Sequence, residues 1–144
     1  MAVTKRRFGT RGEEWSSERG SLRVERPAPN IVIYRGQGHL QAELAELFVQ
    51  SVNDALENGT KPHLFWDGEG MTGYDSQVRI RIGEHCMAVK HEVAAMNVYT
   101  PNRFVAMGAA VINVWLGGFF NIVRTRAELD DLIYDARLAG FSRS

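Results

Sequence analysis

Apolar and polar residues alternate along this chain with two different periods. In residues 21–25 they alternate at every second position, which is typical of a half-buried strand. In residues 39–57 the apolar side chains are three and four positions apart, so they form one stripe on a helix. The same reasoning predicts strands at residues 21–25, 31–34, 63–67, 93–99 and 119–123, and helices at residues 39–57, 75–89, 104–115 and 127–138.

The order of these elements indicates an α/β fold. Strands that alternate with helices form mainly parallel sheets with right-handed crossovers. The first two strands are separated only by a short segment with Pro27, Pro29 and Asn30, so they should form an antiparallel hairpin. We therefore expect a mixed, mainly parallel sheet with an N-terminal β-hairpin and about four helices packed on it.

The first twenty residues have a different character. Charged residues of both signs, serine and glycine dominate there, and few apolar side chains are available to offset the entropy of ordering. We expect a mobile N-terminal tail at residues 1–20 and one domain at residues 21–140. Phe8 and Trp15 are the two side chains that could dock this tail on the domain.

Size and charge exclude several classes of protein. A chain of 144 residues fits one domain, and its 17 basic and 17 acidic residues give a net charge of +0, which is not the basic field of a nucleic-acid binder. With Cys86 as the single cysteine, no internal disulfide can form. The longest apolar segment, residues 104–120, is interrupted by glycines, so we expect neither a membrane span nor membrane insertion. No secretory signal is recognisable, and we expect a cytoplasmic protein.

Two patterns in the sequence resemble parts of cofactor or metal sites. Gly36 and Gly38 precede a predicted helix, as in dinucleotide fingerprints, but Gln41 stands where the third glycine belongs, so a turn is the better interpretation. The histidines have no metal-ligand spacing; they are His39, His63, His85 and His91. We expect no cofactor and no metal.

Three carboxylates cluster after the third predicted strand, where α/β domains place ligands. Asp67, Glu69 and Asp75 could hold Mg²⁺ or act as acid and base. No nucleophile elbow accompanies them, and turn and capping roles suffice for Asp67 and Asp75. We assign no catalytic residue and expect a protein that is not an enzyme, with a small hydrolase or transferase as the remaining enzymatic alternative.

Residues 63–76, which read HLFWDGEGMTGYDS, resemble the STAS pattern of bacterial anti-sigma-factor antagonists. In that pattern an apolar strand ends in Asp or Asn, a short loop follows, and an Asp-Ser pair opens a helix. The later elements agree in order, so the resemblance covers about residues 22–138. More narrowly, the chain is similar to divergent STAS-like proteins related to the sporulation anti-sigma-factor antagonist.

The resemblance implies a bacterial signalling phosphoprotein. In that family a partner kinase, which is also the anti-sigma factor, phosphorylates the serine of the pair and is released by the phosphate. By position Ser76 is the phosphoacceptor candidate, and the partner-binding residues are Tyr74, Asp75, Ser76 and Gln77. Gln77 and Val78 depart from the small residues and glycine that usually follow, so Ser76 could instead only cap its helix.

The leading hypothesis is therefore a non-enzymatic regulatory module or scaffold that binds a kinase, an anti-sigma-like protein or another signalling protein. The alternative is a small-molecule or lipid-binding STAS-like domain, in which residues 104–120 line the pocket. Trp115 lies in that segment and would become an interface anchor if it faced outward. The sequence leaves open whether two copies form a homodimer.

Overall fold

The structure is a computed structural model that describes residues 3–9 and 11–142. Seven strands and four α-helices form its framework. The strands are β1 (Thr4–Arg7), β2 (Gly12–Ser16), β3 (Gly20–Ala28), β4 (Ile31–Leu40), β5 (His63–Tyr74), β6 (Ala95–Tyr99) and β7 (Phe120–Val123). The helices are α1 (Ala45–Glu57), α2 (Ser76–Val89), α3 (Arg103–Trp115) and α4 (Arg126–Ser142), and a 3₁₀ turn at Ala42–Leu44 precedes α1.

The seven strands lie side by side in the order of the sequence. The neighbours from β1 to β4 are antiparallel, and those from β4 to β7 are parallel. One helix connects each parallel pair, because a parallel pairing needs a crossover. The predicted mixed α/β sheet, its β3–β4 hairpin and its four helices are confirmed.

The sheet is covered on both faces. One face packs against α1, α2 and α3 around the rings of Tyr34, Phe48 and Trp66. The other face packs against α4 through a smaller cluster that contains Phe65 and Leu129. Phe65 and Trp66 are therefore consecutive and both buried, as expected for a strand that is flanked on both faces.

The structure differs from the expected N-terminal tail. Residues 4–7 and 12–16 form β1 and β2 and extend the sheet by two strands. Trp15, only 5 % exposed, belongs to the larger core. The charged residues of this segment find partners on neighbouring strands, as in the Arg26–Glu13 ion pair at 3.4 Å. The sequence of residues 1–20 alone does not show which residues of β3 they pair with. For this reason the segment resembled a tail exposed to solvent.

The predicted turn at Gly36 and Gly38 is also wrong, because β4 continues through both residues to Leu40. Gly38 has a φ of 68°, and a Cβ at that position would lie 2.5 Å from the carbonyl oxygen of Arg19. Gly38 is thus required by the close approach of the β3–β4 hairpin, and a Cβ at Gly36 would meet the side chain of Met71 on β5. The longer β4 and β5 bring the end of β5 directly to the first residue of α2.

Candidate functional site

Ser76 is the first residue of α2 and is exposed at the helix N-terminus. Asp75 occupies the N-cap position with an extended backbone, φ −68° and ψ 143°. The side chain of Ser76 makes no hydrogen bond to any residue that the structure describes. The prediction that Ser76 opens the second helix is confirmed, whereas the alternative in which its hydroxyl caps the helix finds no support in the contacts.

The carboxylate of Asp75 makes no hydrogen bond to α2, the helix that it precedes, and instead binds residues before α1. Its Oδ1 lies 2.8 Å from Nε2 of His39, and its Oδ2 accepts a hydrogen bond from the backbone N–H of Ala42 at 3.0 Å. The hydrogen bond with His39 holds the pKa of Asp75 below its usual range. Asp75 therefore ties the end of β4 and the turn before α1 to the start of α2.

Because Asp75 is engaged there, no side chain of the described residues caps the free N–H groups at the start of α2. The first turn of α2 also has no acidic residue. Arg79 follows Ser76 by three positions, so the two side chains are neighbours on the helix surface. An anion at Ser76 would meet both the positive end of the helix dipole and this guanidinium.

Tyr74 connects the site to α3. A Cβ built on Gly108 of α3 would lie 1.6 Å from the Tyr74 hydroxyl oxygen, so the phenol ring passes directly over the glycine. Only glycine permits this contact. The contact fixes the position of Tyr74, which lies two residues before Ser76. Gln77, the fourth predicted partner-binding residue, is exposed on the first turn of α2.

The carboxylates of the enzymatic alternative have other partners. Asp67 is almost fully buried and pairs with Arg35 at 2.5 Å and with Arg126 at 2.7 Å. Glu69 also pairs with Arg126, at 2.6 Å, while Asp75 is held by His39. Within residues 3–9 and 11–142 no group of three or more His, Cys, Asp or Glu side chains is placed to hold a metal ion. Each of these carboxylates therefore has its own partner, and the three do not converge on one centre for a cation.

An apolar cavity lies between α2, α3 and the sheet, but it is small. Its volume is about 60 Å³, and its walls include Val105, Ala109 and Ile112 of α3. One water takes roughly 30 Å³ of the liquid, and drug-sized ligands occupy pockets of roughly 300–1,000 Å³. The segment 104–120 thus lines a cavity, as the lipid-binding alternative expects, but the space is too small for a lipid.

The outer face of α3 is apolar, which the sequence pattern did not resolve. Val105 and Gly108 face inward, but Phe104 is 75 % exposed and Trp115 is 56 % exposed. Nearly every residue of α3 is apolar, so the spacing alone could not say which side is buried. Trp115 faces outward, which was the condition for an interface anchor.

Among the described residues, no helix combines the length and the apolar character needed to cross a membrane.

Comparisons with known proteins locate the fold. No protein-family model and no curated protein matches the chain. It is similar to a solved structure of the anti-sigma factor antagonist SpoIIAA in its unphosphorylated form, with a TM-score of 0.61 and 16 % identity over 79 % of this chain and 96 % of that one. For the Bacillus cell fate determinant SpoIIAA in the phosphorylated form, the TM-score is 0.57 and the identity is 15 %, over 77 % and 98 % of the two chains.

A third solved structure is that of an uncharacterized protein of the DUF3478 family from Shewanella loihica PV-4, which has a SpoIIAA-like fold. Its TM-score is 0.57 and its identity is 16 %, over 81 % of this chain and 97 % of that one. These likenesses show the fold: the chain has a divergent, STAS-like, SpoIIAA-like architecture.

Proposed function

We propose that this protein is a non-enzymatic regulatory module that binds another signalling protein through Tyr74, Asp75, Ser76 and Gln77, and that phosphorylation of Ser76 weakens the binding. The observation that carries the proposal is the position of Ser76. It is exposed at the open N-terminus of α2, while its neighbour Asp75 is held by His39 and the Ala42 N–H. A kinase can reach the Ser76 hydroxyl without breaking any side-chain contact of the folded protein.

The likeness to SpoIIAA supports the same proposal. That protein is an anti-sigma factor antagonist whose structure has been solved in an unphosphorylated and a phosphorylated form. By this likeness, the partner of the present chain is a kinase, an anti-sigma-like protein or a related signalling protein of a bacterial cytoplasm.

The physical basis of the switch is charge. Phosphorylation adds about −1.5 to −2 charges at neutral pH and leaves the backbone in place. A helix N-terminus accepts such a group, so the fold of the module is preserved. A partner that desolvates this surface would have to bury or oppose the new charge, which costs binding free energy.

The experiment compares two substitutions at Ser76. A partner recovered from extract of cells that make the protein is titrated by calorimetry against the wild type, Ser76→Asp and Ser76→Ala. We expect Ser76→Asp to weaken binding by about tenfold or more, which corresponds to about 1.4 kcal/mol. Ser76→Ala should stay within about twofold, because the hydroxyl makes no hydrogen bond in the free protein.

Gln50→Glu is the matched control, since it adds one negative charge at an exposed position of α1. It should leave binding and folding unchanged. Equal affinities of Ser76→Asp and Ser76→Ala would contradict the phosphorylation switch. Equal denaturant midpoints of all four proteins establish that any loss comes from the interface.

A further inference from the structure

The exposed apolar residues of α3 form a single stripe. Phe104, Met107, Val111 and Trp115 follow one another at intervals of three and four residues, so they share one side of the helix. Each is more than half exposed. Scattered apolar residues are ordinary on a protein surface, but a contiguous stripe of this kind is typical of an interaction site.

The stripe borders α2 on the side of the phosphoacceptor candidate. A Cβ at Gly83 of α2 would lie 3.5 Å from the Trp115 ring, so the indole lies against this helix. Ser76, Ile80 and Gly83 follow one another at helical spacing and share one side of α2. Ile80 is itself exposed. We call the surface formed by Ser76, Ile80, Phe104, Met107, Val111 and Trp115 the α2–α3 surface.

The charges along α3 and its flanking segments have one sign. Residues 93–127 contain no Asp or Glu, although the whole chain has equal numbers of acidic and basic residues. Arg103 at the start of α3 and Arg79 on α2 form no ion pair with any described residue. Glu84 of α2 follows Ile80 by four positions, so it borders the surface at its α2 edge, away from α3. The α3 stripe is therefore apolar, with the unpaired basic side chains of Arg103 and Arg79 beside it.

The geometry points to an amphipathic helix of the partner, with acidic residues beside its apolar stripe, as the occupant of the α2–α3 surface. This inference rests on the protein-binding function proposed above and specifies the partner's chemistry. The partner's apolar residues cover the α3 stripe, and its carboxylates pair with Arg79 and Arg103. A second copy is a poorer occupant, because a two-fold contact would bury the same surface of both copies, and the α3 segment supplies no carboxylate to pair with these arginines. A phosphate on Ser76 would oppose the acidic partner at the end of the surface, which links recognition to the switch.

The test uses a defined probe. It is a synthetic helical peptide of about five turns with leucines at intervals of three and four residues and glutamates along both sides. The comparison peptide has lysine in place of every glutamate. Trp115 is the reporter, since Trp15 and Trp66 are buried. We expect the acidic peptide to bind and to protect Trp115 from acrylamide quenching, and the basic peptide to do neither.

Two matched variants locate the binding. Met107 is 63 % exposed on α3, and Tyr134 is 62 % exposed on α4. Met107→Asp should weaken binding of the acidic peptide by about tenfold or more, because it puts a carboxylate into the desolvated stripe. Tyr134→Asp should stay within about twofold. Both variants should unfold at the wild-type midpoint, because both sites are exposed.

The inference would be overturned by equal binding of the acidic and basic peptides, by equal effects of Met107→Asp and Tyr134→Asp, or by protection of Trp115 by phosphatidylglycerol vesicles but not by the acidic peptide. Concentration-dependent self-association that Met107→Asp abolishes would assign the surface to a second copy, and would also overturn it. None of these measurements involves Ser76. If the acidic peptide fails but a partner from extract still distinguishes Ser76→Asp from Ser76→Ala, the inference falls and the proposed function stands.

Discussion

Replacing Gly108 by alanine tests the contact that positions the candidate site. In an ordinary helix this change stabilises the protein by about 0.5–1 kcal/mol, because alanine loses less backbone entropy than glycine. Here the new Cβ would lie 1.6 Å from the hydroxyl oxygen and 2.7 Å from Cζ of Tyr74. The ring must swing away, and overpacking of this kind costs about 1–3 kcal/mol. We expect Gly108→Ala to destabilise the protein by about 1–2 kcal/mol.

The same substitution should have the opposite sign once the ring is gone. In a Tyr74→Ala background the space above Gly108 is empty, so Gly108→Ala should stabilise by about 0.5–1 kcal/mol. The coupling free energy of the two residues is then about 2 kcal/mol. Urea titrations of the wild type, the two single variants and the double variant give this value directly. An equal effect of Gly108→Ala in both backgrounds would refute the contact between Tyr74 and Gly108.

Two further predictions test the sheet. Trp15→Ala should cost about 3–5 kcal/mol in the free energy of unfolding, whereas Trp115→Ala should cost less than about 1, because Trp15 is buried in the core and Trp115 is exposed; a small cost for Trp15→Ala would mean that β1 and β2 are peripheral. The Nε2 atom of His63 lies 2.9 Å from Nδ2 of Asn97, and Oδ1 of Asn97 accepts a hydrogen bond from Asn121. Because Nδ2 of Asn97 is a donor, Nε2 of a neutral His63 can accept its hydrogen bond, whereas a protonated ring would place a second N–H donor against it. Burial lowers the pKa of His63, so the unfolded chain binds the proton more tightly than the folded protein does. The contribution of His63 to stability is therefore fully present above the unfolded pKa near 6.5 and is lost as the pH falls towards the folded pKa. His63→Gln should reduce the loss of stability between about pH 7 and pH 5, and an unchanged pH dependence would contradict this.

The elements that local sequence could predict are those whose own residues set their environment. Leu64, Phe65 and Trp66 are apolar at consecutive positions, as expected for a strand that is covered on both faces. The Asp75-Ser76 pair has the composition of a helix start, and α2 begins there. Both predictions depend on neighbours in the sequence, so they could be made without knowledge of the fold.

The features that sequence reasoning missed depend on distant residues. β2 is stabilised by the burial of Trp15 and by the pairing of Glu13 with Arg26, and neither is visible within residues 1–20. Asp75 resembles a cap of α2, but its partners His39 and Ala42 are more than thirty positions earlier in the chain. The outer face of α3 could not be chosen because apolar residues surround the helix. The absence of acidic residues from 93 to 127 indicates only that α3 has no acidic outer face.

The phosphorylation state of Ser76 after exposure to the cell's own kinases tests the central claim most directly. The wild-type protein and Ser76→Ala are incubated with ATP and extract of cells that make the protein, and fragment mass spectrometry then locates any phosphoryl group. We expect one phosphoryl group on Ser76 of the wild type and none on Ser76→Ala. An unmodified Ser76, or the same phosphorylation of both proteins at another residue, would contradict it.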